Sequence, residues 1–274
     1  MAQRSRVTHV DAVAVVCCVI LALLTLGAAE RAGRRLALEQ ACLSNVEVLT
    51  DAWLTYADEH DGELVSSYPS AHSGWVRQAQ ISEVVPTLEQ KLAAIREGDL
   101  FSYVGDLNVY HCPADQRLND PNQMAFGSFS IAGGANGMYW PGYVRATQYA
   151  EIENPSAKYI FVEEADPRGE NIGAWEMNLD PLEWVDPLAM WHEESSTLGF
   201  ADGHGDVHGW HDQSLIDLSY MAMYEPSAFG FSMTPPTDET RDIEFMRDGF
   251  PCRSPETDDD DGRGSFSIAG TTGR

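Results

Sequence analysis

The chain has 274 residues, 43% hydrophobic and 10% aromatic, so it holds enough apolar surface to build a core and is not a disordered polymer. Its formal charge of −26 excludes nucleic acid as a natural partner, because no basic patch with interleaved aromatics opposes that field. The charge is uneven: Arg4, Arg6, Arg31, Arg34 and Arg35 outnumber Asp11, Glu30 and Glu39 before residue 42, and the whole negative excess lies beyond.

Residues 1–11 form a short basic leader. The run 12–29, AVAVVCCVILALLTLGAA, carries no charge, and at about 1.5 Å per residue a helix of this size just crosses a bilayer core. Arg4 and Arg6 precede it, so the positive-inside rule keeps the N-terminus cytoplasmic and sends the bulk of the chain outward as a single-pass protein. A secretory cut near Gly27-Ala28-Ala29 competes with a retained anchor. The anchor is preferred because the helical pattern continues over residues 30–60 without proline. Cys42, Val46, Leu49, Trp53 and Tyr56 recur there at spacings of four and three, one amphipathic stripe that ends at Asp61-Gly62.

An apolar run passing without interruption into an amphipathic helix resembles the type IV pilins and pseudopilins. Residues 6–24, RVTHVDAVAVVCCVILALL, line up with the prepilin signature. Asp11 falls where that family carries a Glu, and the resemblance implies that it neutralises the terminal amine of a neighbouring subunit. The plain alternative is an interfacial residue at the edge of the helix. Arg6 stands where the prepilin peptidase expects Gly, and Val7 where Phe is usual, so the cleavage site is atypical.

Residues 61–234 read as one extracytoplasmic α+β domain. A short helix is expected around Thr87–Glu97. Strands are expected in LFSYVGDLNVYHCPAD, in GSFSIAGGANGMYW (Gly127–Trp140, with a Gly-rich exit) and in AKYIFVE after the turn Asn154-Pro155-Ser156. LGFADGHGDVHGW is expected to form a hairpin turning at Asp202-Gly203. A long helix followed by short strands implies an antiparallel sheet packed on that helix. Residues 235–274, with Asp258–Asp261, read as a solvated acidic tail. The segment GSFSIAG at 127–133 recurs at 264–270, as a strand mimic or by coincidence.

The order of these pieces resembles a group of bacterial prepilin-type proteins known by an H-X9-DG motif. Here His192 precedes Asp202-Gly203 by that spacing. Further points of likeness are Cys42 and Asn45, Cys112–Asp115, Ser128–Gly137 and Pro155–Glu163. The resemblance implies a pilin-like fold, a bacterial inner-membrane location, and other pilin-like subunits or secretion machinery as partners.

The densest polar segment is His192–Asp212. If residues 202–208 were extended, Asp202, His204, Asp206 and His208 would share one strand face, a donor set suited to a divalent metal such as Zn²⁺. The plain alternative has His192 hydrogen-bonded to Asp202 or to the turn, with the other histidines solvated. No other cofactor is expected.

Cys42 and Cys112 are the preferred disulfide pair, tying helix to sheet, with free buried thiols as the alternative. The run TDDDDGRG fails the EF-hand pattern, with Thr257 at the first ligand position and Ile268 where the bidentate Glu belongs. No G-x-S-x-G or P-loop is present. The sequence therefore supports a non-catalytic structural subunit first. A membrane-tethered extracytoplasmic protein that binds a carbohydrate or peptide through Trp140, Trp175, Trp184 and Trp191 comes next, and a metal-dependent hydrolase built on the 192–212 cluster last.

Overall fold

A computed structural model describes residues 9–79, 86–119, 125–167 and 173–253, the side chains of 9–12 excepted. The two expected N-terminal segments are one helix, α1 (His9–Glu59). Its first half is sheathed in exposed aliphatic residues, among them Val13, Leu21 and Leu24, and is long and apolar enough to cross a membrane. Its second half turns the stripe Cys42, Val46, Leu49, Trp53 and Ala57 into the core. Asp61 and Gly62 then take positive φ (56° and 85°), and the Gly62 N–H reaches back to the Ala57 carbonyl at 2.8 Å, which stops the helix.

The short helix expected near residue 87 is α2 (Leu88–Arg96). Thr87 accepts a hydrogen bond from the Gln90 N–H, and Gln90 Oε1 accepts one from the Thr87 N–H, a reciprocal cap. The strand expected over LFSYVGDLNVY is instead helical. It forms α3 (Phe101–Val104) and then a 3-10 turn, Leu107–Tyr110. Gly105, at φ 72°, ends the first turn, and the Asp106 carboxylate accepts the Asn108 N–H to start the second. The aromatic and aliphatic side chains, read as strand alternation, pack as two successive helical turns around α1.

The remaining expected strands are present as β1 (Phe129–Ala132) and β2 (Tyr159–Glu163). β3 (Ala174–Trp175) follows, then a separate hairpin of β4 (Met177–Leu179) and β5 (Leu182–Trp184). The expected C-terminal hairpin is β6 (Ser195–Phe200) and β7 (Gly205–Gly209). The main sheet runs β3-β1-β2-β6-β7. It is mixed, not wholly antiparallel as expected, because β3 pairs with β1 in parallel, Ile131 opposite Ala174.

Every residue of β1 and β2 is buried, as strands covered on both faces must be. Phe129, Ile131 and Phe161 join the α1 stripe. Tyr159, Val162, Leu198 and Phe200 join a second cluster with α4 (Gln213–Tyr224) and α5 (Arg241–Gly249). The sheet lies close against α1: a Cβ on Gly199 of β6 would stand 2.4 Å from Thr50 Oγ1 and 2.9 Å from Val46 Cγ2. No larger residue fits there without moving the helix.

Helix α5 corrects the expected tail, which was placed from residue 235. Ile243, Met246 and Phe250 are fully buried. The Asp242 carboxylate accepts the N–H groups of His211 and Asp212 at 2.7 and 2.8 Å, while Asp212 accepts the Asp242 N–H at 2.9 Å. Acidic composition hid an amphipathic turn whose carboxylate is a cap. The acid run 258–261 and the repeat at 264–270 lie outside the described residues.

Candidate functional site

Four ionisable side chains from distant parts of the chain meet at the junction of α1 and the sheet. Cys42 comes from the first deeply buried turn of α1, Cys112 from the turn after the 3-10 helix, Glu163 from the end of β2, and His192 from the loop that leads into β6. All four are buried, and their Sγ, Sγ, carboxylate and imidazole atoms lie within 4.8 Å of one another. The Cys42 thiol donates to Glu163 Oε1 at 2.7 Å. Cys112 Sγ and His192 Nε2 are 3.3 Å apart, and His192 Nε2 stands 3.3 Å from Glu163 Oε1.

Local structure aims each donor. Asn45, one turn beyond Cys42 on α1, donates its side-chain N–H to the His111 carbonyl at 3.0 Å, which fixes the approach to Cys112. The Asp115 N–H closes the Cys112 turn on the Cys112 carbonyl at 2.9 Å. The Thr197 N–H holds Glu163 Oε2 at 2.8 Å, so Oε1 is the oxygen left facing the thiol and the imidazole. Behind Cys112, the buried Arg117 forms a two-point ion pair with Asp115, with its Nη2 2.8 Å from Oδ2. The Arg117 guanidinium also lies 4.9 Å over the ring of Trp191, the neighbour of His192.

The electrostatics follow from burial. Desolvation, with the neighbouring Cys112 thiol and Glu163 charge adding to it, pushes the Cys42 thiol well above its ordinary range. Burial alone would lower the His192 imidazolium, but its hydrogen bonds to Cys112 and Glu163 outweigh that and push it up to about 10. His192 Nδ1 has no partner among the described residues, so the imidazole addresses the cluster through Nε2 alone.

Cys42 and Cys112 are buried free thiols in the structure, the alternative to the preferred disulfide. Cys42 Sγ contacts Glu163 and Cys112 Sγ contacts His192, with the two thiols neighbours in the same cluster.

The expected metal face on 202–208 does not form. Asp202 sits in the hairpin turn and bonds His204, whose ring stacks on Phe200 at 4.4 Å. Asp206 accepts the Val207 N–H, and the His208 ring stacks on Phe245 at 3.9 Å. His192 bonds neither Asp202 nor the turn, so the plain alternative for that pair is also corrected. Gly203, at φ 100°, has the conformation the turn requires, and a Cβ there would meet Leu54 and Asp51 of α1 at 3.3 and 3.4 Å. The H-X9-DG spacing thus joins a buried donor to a turn that abuts the helix.

Among the tryptophans, Trp175 and Trp184 are core residues, which removes two of the four expected for surface recognition, while the partly buried Trp191 stands under Arg117. Trp140 lines an open cleft of about 440 Å³ with Tyr68, Met138 and Phe231. Glu176 lies on the same cleft, and burial pushes its carboxyl up to about 8 against the opposing hydrogen bond from Tyr143. Arg6 and Val7 lie outside the described residues. Asp11 falls in α1, its side chain outside the description.

Glu163 had no place in the expected site, although its strand was expected. The available signal was a carboxylate at the end of a strand buried on both faces, a position that demands a partner. Compared with known proteins, the chain matches no family model, no curated sequence and no solved structure.

Proposed function

We propose that the protein is a non-catalytic, membrane-anchored structural subunit of the type IV pilin-like kind, with its N-terminus cytoplasmic and its acidic domain outside the inner membrane. The observation that carries this reading is α1 itself. One helix presents exposed, predominantly aliphatic side chains from Val13 to Leu26 and packs into a sheet from Cys42 onward. Such a helix offers a bilayer, or the helices of neighbouring copies, a surface that the folded domain does not use. The polar cluster supports a structural role in turn, because all four of its side chains are buried between the helix and the sheet.

In-cell photocrosslinking from Leu24 and Leu38 tests the proposal. Crosslinked multimers of the chain, or adducts with a second pilin-like helix, are expected in the membrane fraction. A soluble product whose intact mass begins at Glu30, with no adduct from either position, would overturn it. The cleft at Trp140 favours a second reading, a tethered binding protein. That reading gains if Leu24 and Leu38 give no protein adduct while the chain stays in the membrane.

A further inference from the structure

We propose that Cys42, Cys112, Glu163 and His192 form a structural zinc site that staples the stem helix to the sheet. Two sulfurs, one imidazole nitrogen and one carboxylate oxygen make a four-donor set of the type that tetrahedral zinc accepts. Zinc bonds of about 2.0–2.3 Å place the donors of a tetrahedron about 3.3–3.8 Å apart. The two 3.3 Å separations at His192 Nε2 already lie at that edge length, and all pairs fall within 4.8 Å. The contracted edge, Cys42 to Glu163 at 2.7 Å, needs to open by less than about 1 Å.

Three further observations point the same way. The donors come from four separate elements, with Cys42 and Glu163 121 residues apart and Cys112 and His192 80 apart, so the ion would close long loops. Part of a supporting shell is in place: the Thr197 N–H orients the carboxylate, Thr197 Oγ1 lies 3.4 Å from Cys42 Sγ, and Asn45 anchors the backbone before Cys112, while His192 Nδ1 has no partner among the described residues. Of the four donors, His192 borders an open cleft with Ser195, Trp210 and His211. Burial of all four donors marks a closed, structural site rather than a catalytic one with an open position. On binding, the thiol protons of Cys42 and Cys112 and the proton on His192 leave to solvent. Two thiolates and the carboxylate then face the divalent cation, with no change of oxidation state.

The test uses the full chain, purified in detergent with reductant and without chelator. Elemental analysis should find one zinc per chain. Cys42→Ser and Cys112→Ser should each lower the zinc content at least about tenfold, while Cys252→Ser and His204→Ala leave it unchanged. Should the cluster variants fail to fold, wild-type protein refolded with Co²⁺ decides the matter. Tetrahedral visible bands with a thiolate-to-metal charge-transfer band are expected. Wild type without stoichiometric zinc that takes up none when zinc is added, full zinc retention by Cys42→Ser, or a Cys42–Cys112 disulfide in the non-reduced peptide map would each overturn the proposal.

Discussion

Two polar regions of this protein invite opposite readings from their sequences and have opposite fates in the fold. Residues 202–211 crowd Asp202, His204, Asp206, His208 and His211 into ten positions, yet in the structure these side chains disperse. His204 and His208 stack on separate aromatic rings, and Asp202 and Asp206 serve their own backbone and neighbours. Cys42, Cys112, Glu163 and His192 are scattered over 151 positions and converge within 4.8 Å. The cause lies in the strands. A polar run at a sheet edge is free to solvate each group separately, as in β7, the edge strand. A polar residue on an interior strand or a buried helix face must find a partner or pay the desolvation cost.

The sharpest way to break this contrast is Glu163→Ala. The substitution removes the acceptor of the Cys42 thiol and of the Thr197 N–H, and the counter-charge of His192, all in a dry site. Breaking a buried pair in this manner costs about 3–5 kcal/mol. Urea unfolding of the full chain in detergent should register that loss. A change below about 1 kcal/mol, the size of an exposed pair, would put the cluster on the same footing as the surface histidines.

The same contrast governs how much could be read in advance. Helix α1, the short helix at residue 88, β1, β2 and the β6–β7 hairpin are legible in the sequence, and local pattern sets α1 by an uninterrupted apolar stripe, the strands by alternation and the hairpin by its Asp-Gly turn. In residues 100–110 the aromatic spacing around Gly105 suits two short helical turns as well as a strand, and packing on α1 settles which forms. α5 was hidden by its acidic surroundings. In the site, Cys42, Cys112 and His192 stood out individually, but their grouping was not legible. It depends on β2 lying between β1 and β6 and carrying Glu163 to the helix, and that is a matter of long-range pairing.

A second, smaller effect sharpens the comparison at the point where the two regions touch. Gly203 belongs to the surface hairpin but rests on α1 beside Leu54 and Asp51. Gly203→Ala forces a side chain onto a backbone at φ 100° and into that contact, at a cost of about 1–2 kcal/mol. Thermal unfolding should show a modest fall in Tm with the zinc content, where zinc is bound, unaltered. A null effect would mean that the turn adjusts independently of the helix.

The smallest expected effect is the most discriminating for the surface half. His204 is 46% exposed, its partner Asp202 is 37% exposed, and its ring lies nearly parallel to that of Phe200. An exposed pair with one aromatic contact contributes little once solvent and side-chain entropy are counted, so His204→Ala should shift stability by less than about 0.5 kcal/mol. Asp206→Ala should behave alike, since its carboxylate accepts only the neighbouring Val207 N–H among the bonds described. If the double substitution instead costs as much as Glu163→Ala, the edge strand carries an organised site after all. The rule that convergence follows burial, and not sequence density, then fails for this fold.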